Sequence, residues 1–393
     1  MTTSRRRQLR KTAVLALISA IALAAAPATA QVMVQCPPGP GVTCYHLSGG
    51  DGYITMADGR PMFMFGFSDL TAIPLAQAVG EGRMAANFPA PTIVADEGDE
   101  VYLTLTNVAM VVRPDLFDPH SIHWHGFPQQ APIFDGVPEN SIAVNQGSSL
   151  TYYYQALDPG TYLWHCHVEA TEHMQMGMLG NLYVRPRQNK LPNGTNLNGF
   201  IHATGFTYAY NDGDGSTFYD VDYPIQIGSF DSDFHDASEA IQPLPFALMR
   251  DNYPMLNGRG YPDTMEPGPL PAPAENGGKV SQRVSSLIAA TFGEKVLLRI
   301  SNLNVTRFYT LAVLGAPVKV VGLNARLLRG PTGRDLSYRT SSVTLGGGES
   351  IDLILDTNDL PGPGTYFLYT THLNYLSNND EDFGGMMTEI RVN

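Results

Sequence analysis

Short runs of apolar residues, or of alternating apolar and polar residues, recur along most of the chain and are separated by turn-forming residues. Period-2 alternation bounded by Gly, Pro, Asn and Asp is typical of β-strands with one buried face. Examples of predicted strands lie at residues 91–95, 100–107, 149–156, 161–167 and 179–184. Further strand candidates lie at residues 224–229, 295–301, 308–314, 318–321, 350–356 and 365–370. This pattern predicts an all-β protein built from two related Greek-key β-sandwich domains.

The domain organisation follows from one interruption in this pattern. Residues 187–198 are polar and rich in turn-forming residues, so we interpret them as a linker. Domain 1 then spans residues 50–186, domain 2 spans residues 199–393, and residues 31–49 form a short N-terminal segment. A length of 393 residues suits two domains, and the Gly-Thr-Tyr sequence found near the end of each indicates that the two are related.

The first thirty residues predict export. Residues 4–11 are basic, residues 12–26 are apolar, and Ala28-Thr29-Ala30 has the small-x-small form of a signal-peptidase site. Because the apolar run is short for a bilayer span, we predict a cleaved signal peptide at residues 1–30 and no membrane insertion after cleavage. The arginines also fit a twin-arginine signal, with an ordinary secretory signal as the alternative. The mature protein is expected in the periplasm or outside the cell.

The mature chain is strongly acidic. Residues 1–30 hold five of the 24 basic residues and none of the 37 acidic ones, so their removal changes the net charge from −13 to −18. Such a surface repels nucleic acids at long range, which argues against a nucleic-acid partner.

The cysteines and histidines indicate metal chemistry. In an oxidising compartment Cys36 and Cys44 are expected to form a disulfide, which leaves Cys166 unpaired. Six of the ten histidines lie in two short motifs, H-x-x-H-x-H from residue 120 and H-C-H-x5-H-x4-M from residue 165, and the unpaired cysteine lies in the second. A single buried histidine is usually structural, but this combination predicts metal binding.

Strand alternation divides the predicted ligands into two sites. Cys166 points to the opposite face from its two neighbouring histidines and towards the sandwich interior. A loop after this strand brings His173 and Met178 back to the sulfur, and His120 supplies the second imidazole from another loop. We call His120, Cys166, His173 and Met178 the thiolate cluster. Two imidazoles, one thiolate and one thioether form the ligand set of a type 1, or blue, copper site. Structural zinc is the alternative, but zinc has little use for a thioether.

The opposite face carries a second set of histidines, which we call the imidazole cluster: His123, His125, His165 and His167. These side chains are predicted to hold one or more further copper ions. Because Cys166 is bonded to both His165 and His167, these three residues are the predicted catalytic path for electrons between the two sites. The alternative is a patch of histidines without metal.

These motifs resemble those of a known family. H-x-H-G followed by W-H-C-H, H and M is similar to the motif set of multicopper oxidases, which include laccases and copper-resistance oxidases, and of the related copper nitrite reductases. Asn257-Gly258-Arg259 and residues 293–302 and 348–355 resemble the copper-free cupredoxin domain of the same family. The resemblance implies two cupredoxin-like domains, a type 1 copper on the thiolate cluster, and half of a type 2/type 3 copper site on the imidazole cluster.

The chain also departs from that family. A complete trinuclear copper site takes eight histidines from two domains, and the four histidines left outside the motifs, His46, His202, His235 and His372, include no H-x-H pair. His372 lies close to where copper nitrite reductases place a histidine that a neighbouring subunit contributes to type 2 copper. If it takes that role, a homotrimer follows, with His125, His165 and a partner's His372 as ligands. Against nitrite reductase activity, His123 stands where that family has an acid, and the domain 2 catalytic histidine has no counterpart.

The sequence therefore predicts an exported copper oxidoreductase. Electrons from an unidentified donor, either a small reductant or a redox protein, would pass from a type 1 copper through Cys166 and His165 or His167 to a second copper site. That second site would reduce oxygen or another small acceptor. Two alternatives remain: a non-enzymatic blue-copper electron carrier or copper-binding protein, and a nitrite reductase-like trimer.

Overall fold

The computed structural model describes residues 32–127 and 131–393. The predicted signal peptide at residues 1–30 lies outside the described residues. In the part of the chain that is described, no helix combines the length and the apolar character needed to cross a membrane.

The first half of the described chain forms a β-sandwich of two four-stranded sheets. One sheet has the strand order β2-β1-β4-β6, and the other has the order β3-β8-β7-β5. Their facing apolar side chains, such as Leu103 from β4 and Trp164 from β7, form one hydrophobic core. The strands are β1 (Val42–Thr55), β2 (Pro61–Asp69), β3 (Ile93–Asp96), β4 (Glu100–Asn107), β5 (His123–Trp124), β6 (Ser149–Gln155), β7 (Gly160–His165) and β8 (Leu179–Arg185).

The second half forms another sandwich, with a seven-stranded and a five-stranded sheet. The larger sheet has the order β14-β13-β16-β22-β18-β19 with β20 paired to β18, and the smaller has the order β15-β24-β23-β17-β21. Leu353 of β22 and Leu368 of β23 lie in their shared core. The short hairpins β9-β10 and β11-β12 precede them. The strands are β9 (Asn196–Leu197), β10 (Phe200–Ile201), β11 (Thr207–Tyr208), β12 (Phe218–Tyr219), β13 (Val221–Phe230), β14 (Tyr253–Leu256), β15 (Ile288–Ala290), β16 (Lys295–Asn302), β17 (Tyr309–Val313), β18 (Val318–Leu323), β19 (Arg326–Leu327), β20 (Tyr338–Thr340), β21 (Ser342–Leu345), β22 (Glu349–Asp356), β23 (Gly364–Thr370) and β24 (Met387–Val392).

Helices are short in the described chain. The α-helices are α1 (Leu75–Gly82), α2 (Ala170–Gln175) and α3 (Ser232–Glu239), and the 3₁₀ turns are Pro132–Phe134, Arg187–Lys190, Phe246–Leu248, Asp263–Met265, Ala274–Asn276, Thr357–Asp359 and Leu373–Tyr375. The carboxylate of Asp231 caps α3 by accepting from the backbone N–H groups of Asp233 and Phe234. Helix α2 carries His173 and therefore sets the position of one predicted ligand.

The structure confirms the all-β fold class and the Cys36–Cys44 disulfide, whose Cα atoms lie 5.9 Å apart. The predicted strand at residues 161–167 is too long, because β7 ends at His165. Beyond it the Cys166 N–H donates to the Met178 carbonyl, and the His167 N–H donates to the Ser121 hydroxyl. The domain limits stay predictions; β1 begins at Val42, before the predicted start of domain 1 at residue 50.

A buried polar network joins the two sandwiches. The Thr161 hydroxyl of β7 donates to the Asp352 carboxylate of β22 at 2.5 Å, and the Ser350 hydroxyl donates to the Thr161 carbonyl at 2.7 Å. The guanidinium of Arg299, on β16, lies 3.9 Å from Asp352 and donates to Asp222 at 2.8 Å. The side chains of Arg299 and Asp352 are each only 1% exposed. Buried charges of this kind persist only when they are paired and hydrogen-bonded.

We expect Arg299→Met to destabilise the protein by about 3–5 kcal/mol, because it leaves the buried Asp352 carboxylate without its cation. Urea unfolding followed by circular dichroism measures this change. Arg391→Met is the matched control, since Arg391 is 45% exposed and pairs with Glu389 at the surface. The control should cost less than about 1 kcal/mol. Equal losses in the two variants would contradict a stabilising role for the buried network.

Candidate metal centre

The pairing of β5 with β7 places both clusters. His123 lies opposite His165, and Trp124 lies opposite Trp164. Both tryptophans are buried in the core of the first sandwich, so the histidines that alternate with them face the other way. The His125 N–H donates to the Leu163 carbonyl at 2.9 Å, which holds His125 beside β7 after β5 has ended.

The thiolate cluster is assembled around the fully buried Cys166. Its Sγ lies 3.2 Å from His173 Nδ1 and 4.0 Å from His120 Nδ1. The Ser121 N–H also points to this sulfur, with a nitrogen–sulfur distance of 3.4 Å. Both histidines are fully buried. The surroundings of the sulfur therefore include two imidazole nitrogens and one backbone donor, all shielded from solvent by the fold.

Local backbone pairing brings the remote members of the thiolate cluster to the sulfur. His120 exchanges two backbone hydrogen bonds with Val144, and these fix the otherwise irregular segment before β5. After α2 the chain folds back, and the Met178 N–H donates to the His173 carbonyl at 2.8 Å. Met178 is fully buried, and its carbonyl accepts from Cys166 at 3.1 Å. All four predicted members therefore lie in one buried region.

The charges around Cys166 favour the thiolate. Burial by itself raises the pKa of Cys166, but the charge of His173 and hydrogen bonds from His120 and His173 outweigh it, so the pKa lies below its ordinary value. Burial lowers the pKa of His173, yet the Cys166 thiolate and the Asp118 carboxylate outweigh burial and raise it. The thiolate is the form of cysteine that binds metals.

Asp118 was not predicted from the sequence. Its Oδ2 lies 3.6 Å from His173 Nε2, on the side of the ring away from the sulfur, and its side chain is 16% exposed. The sequence signal for Asp118 is only that an acidic residue stands two positions before the first motif histidine. Residues 118 and 173 are far apart along the chain, so the sequence does not reveal that their side chains meet.

The thiolate cluster fits a shared metal ion. Metal–sulfur bonds of about 2.3 Å and metal–nitrogen bonds of about 2.0 Å leave ligand atoms about 3.6 Å apart. The two nitrogen–sulfur distances, 3.2 and 4.0 Å, lie on either side of that value. Two imidazoles, one thiolate and a nearby methionine are the donors of a blue-copper site rather than of a typical zinc site.

The imidazole cluster lies on the other face of β5 and β7. The ring centroid of His123 lies 5.4 Å from those of His125 and His165 and 4.9 Å from that of His167. His125 Nε2 and His165 Nε2 are 3.0 Å apart. Burial lowers the pKa of His123, His125 and His165 below the ordinary histidine value, most strongly for His165. Neutral imidazoles are the form that ligates metals.

The second sandwich closes one side of the imidazole cluster. The ring Nδ1 of His125 lies 3.3 Å from the Gly348 carbonyl, in the turn before β22. A cavity of about 670 Å³ lies next to this contact, and its lining includes His123, Asp135, Asn324, Arg326 and Ser350. The second-sandwich residues among them could not be predicted from the sequence, because they carry none of the metal-ligand motifs.

The histidines outside the two motifs have other surroundings. His46 is buried with Nε2 2.8 Å from the Thr106 hydroxyl, and His202 has Nδ1 2.9 Å from the Tyr208 hydroxyl. His235 lies between two backbone carbonyls. His372 is exposed just after β23, with its ring 5.7 Å from that of Tyr375. Among the described residues, His372 joins neither cluster.

Comparison with known proteins relates this geometry to a family. The sequence model described as multicopper oxidase matches residues 82–189, which contain every member of both clusters. The chain is 36% identical over 104 residues to multicopper oxidase MCE of Talaromyces pinophilus, and 38% identical over 105 residues to laccase abr2 of Aspergillus fumigatus. This segment belongs to the multicopper oxidase family. Copper is therefore the cofactor that the family match implies. The aligned segment is 26% of this chain and spans 16% of the length of either fungal relative.

Solved multicopper oxidase structures share the fold over most of the chain. The blue copper oxidase from Nitrosomonas europaea superimposes with a TM-score of 0.63 at 23% identity, covering 89% of this chain and 86% of that one. Multicopper oxidase mgLAC superimposes with a TM-score of 0.62 at 20% identity, covering 90% and 86%. The two β-sandwiches are thus cupredoxin-like, as predicted.

We expect copper removal to lower the melting temperature, because an ion that binds only the folded chain stabilises it by about 2.7 kcal/mol at a concentration of 100 times its Kd. Thermal unfolding with copper and with a chelator measures this difference. In Cys166→Ser, which removes the central ligand of the thiolate cluster, copper should raise the melting temperature by less. An equal copper-dependent shift in the variant and the natural protein would contradict copper binding at Cys166.

Proposed function

We propose that the protein is an exported copper oxidoreductase in which a type 1 copper held by the thiolate cluster exchanges electrons with a second copper held by the imidazole cluster. The observation that carries this proposal is the direct connection between the clusters. Cys166 belongs to one and His165 to the other, and the two residues are adjacent in sequence. Copper bound at the two sites would supply one-electron redox chemistry, with Lewis-acid polarisation of a small acceptor at the second.

The connection between the clusters has two routes. One follows the covalent chain from Cys166 Sγ through the backbone to His165. The other leaves the Cys166 carbonyl, which accepts a hydrogen bond from His165 Nδ1 at 2.7 Å. This hydrogen bond also fixes the ring of His165 so that its Nε2 points to the other members of the imidazole cluster. His167 is bonded to Cys166 on the other side and gives a second covalent route.

The two clusters differ in their access to small molecules. Cys166, His120 and His173 are fully buried, so a metal there has no open ligand position for a substrate among the described residues. The imidazole cluster borders the cavity of about 670 Å³. We therefore assign electron entry to the thiolate cluster and reduction of oxygen or another small acceptor to the imidazole cluster. The partly exposed Asp118, beside His173, is the expected approach for the unidentified electron donor.

The carrier alternative accounts for the thiolate cluster alone. A simple blue-copper carrier has no need for further imidazoles on the opposite face of the same strand, next to a cavity. For this reason we favour the oxidoreductase. The homotrimer with a partner's His372 at type 2 copper stays a prediction; the exposure of His372 leaves it accessible to another subunit.

We expect Cys166→Ser to abolish both the blue copper–thiolate absorption and the reductant-dependent oxygen uptake. His165→Ala should keep the blue absorption but lower oxygen uptake by about 100-fold, since it removes a second-site ligand and the hydrogen bond to the Cys166 carbonyl. Absorption spectroscopy and an oxygen electrode, with a small one-electron reductant as donor, measure the two effects.

His202→Gln is the matched control for these variants, because it changes a buried histidine that belongs to neither cluster. Its oxygen uptake per folded protein should match that of the natural protein. A blue protein that consumes neither oxygen nor nitrite with reductant present would favour the electron-carrier alternative and overturn the oxidoreductase proposal.

A further inference from the structure

Three rings of the imidazole cluster are oriented in the same way. In His123, Nδ1 lies 2.6 Å from the Asp135 carbonyl, and in His165 it lies 2.7 Å from the Cys166 carbonyl. In His125, Nδ1 lies 3.3 Å from the Gly348 carbonyl. A carbonyl can only accept, so each Nδ1 carries the proton and each Nε2 keeps its lone pair. Donation from the second ring nitrogen to a carbonyl is the usual support of metal-ligating histidines.

One ring nitrogen from each of these three histidines converges on the same region. Ligand atoms of His123, His125 and His165 all lie within 4.8 Å of one another. His125 Nε2 and His165 Nε2 are 3.0 Å apart, and with both Nδ1 atoms protonated two lone pairs meet there, an arrangement that a cation bound to both nitrogens would stabilise. Two nitrogens bonded to one ion at about 2.0 Å lie about 3.3 Å apart, close to this distance. His167 stacks on His165 but is not within this mutual reach.

The second sandwich is shaped to support His125. Gly348 has φ of +92°, and a Cβ at this position would lie 3.0 Å from the ring atoms Cε1 and Nδ1 of His125. A side chain here would push the ring away, so glycine allows the Gly348 carbonyl to reach Nδ1. The side of the cluster that faces the cavity, beside Asp135 and Arg326, has room for a small ligand.

We infer that the second copper site is mononuclear and complete within one chain, with His123, His125 and His165 as ligands and a fourth position open to the cavity. The inference rests on the proposed function for the identity of the metal. It departs from an eight-histidine trinuclear site, and it needs neither His167 nor a neighbouring subunit's His372 as a ligand. His123 supplies, within the chain, the third imidazole that the trimeric arrangement would take from a partner.

The test counts copper and electron spins in the copper-loaded full-length protein. We expect two copper ions per chain by elemental analysis, one type 1 and one type 2 signal by electron paramagnetic resonance, and a spin count equal to the total copper. His123→Ala, His125→Ala and His165→Ala should each lower the copper content to about one per chain. The retained blue absorption shows that each variant is folded. His167→Ala and His372→Ala should keep two copper ions per chain.

A second pair of variants tests the support of His125 without removing a ligand. Gly348→Ala should weaken copper binding at the second site by about 10-fold or more, because it displaces His125 from its carbonyl partner. Gly293→Ala is the matched control, since Gly293 has a similar φ of +100° and a Cβ there would meet no atom within 4 Å. Copper titration with the type 2 signal as readout should leave this control unchanged.

The outcomes separate this inference from the proposed function. Loss of the second copper in His167→Ala or His372→Ala would overturn the mononuclear site within one chain, and so would more copper than detectable spins. In either case the two-site oxidoreductase would stand. One type 1 copper per chain in the natural protein, with no change in His123→Ala, would overturn both.

Discussion

The antiparallel pairing of β5 with β7 is the constraint on which both clusters depend. Trp124 and Trp164 face each other in this pair and are buried in the core, so the register cannot slip by one residue without moving two large apolar side chains out of it. The same register fixes His123 opposite His165. Because side chains alternate along the chain, Cys166 then lies on the opposite side from His165, and one peptide unit separates the two clusters.

The second sandwich supports the imidazole cluster through β22 and the turn that leads into it. Asp352 of β22 is held by Thr161 of β7 and by the buried Arg299, which ties β22 to the strand that precedes Cys166. Gly348 lies in the turn that leads into β22, and its carbonyl meets His125. The start of β22 therefore links two features. One is the set of buried charges at the sandwich interface, and the other is the orientation of His125, a proposed metal ligand. A sandwich without copper motifs of its own still shapes the site.

The sequence was most informative where the relevant contacts are local. Alternation along residues 161–167 predicts that Cys166 and His165 point in opposite directions, and this holds although β7 ends at His165. By contrast, the long strand β1 was missed, because Gly49, Gly50 and Gly52 have the pattern of a turn. The structure gives a packing reason for Gly49: a Cβ there would lie 2.8 Å from the ring of His120. The contacts of Asp118 and Gly348 escape sequence analysis for a related reason, since each residue meets its histidine only through the folded chain and neither belongs to a metal-ligand motif.

The surroundings of the two clusters suit different tasks. At the thiolate cluster, the Cys166 sulfur lies among two fully buried imidazoles, and the partly exposed Asp118 carboxylate lies on the far side of the His173 ring. Under the proposed function, this buried ligand set would let the bound copper accept an electron without exchanging its ligands. At the imidazole cluster, burial lowers the pKa of His123, His125 and His165, and backbone carbonyls orient these three rings beside a cavity. A closed site next to an open one, joined through Cys166 and His165, fits the proposed function, in which electrons are collected at one position and delivered to a small molecule at another.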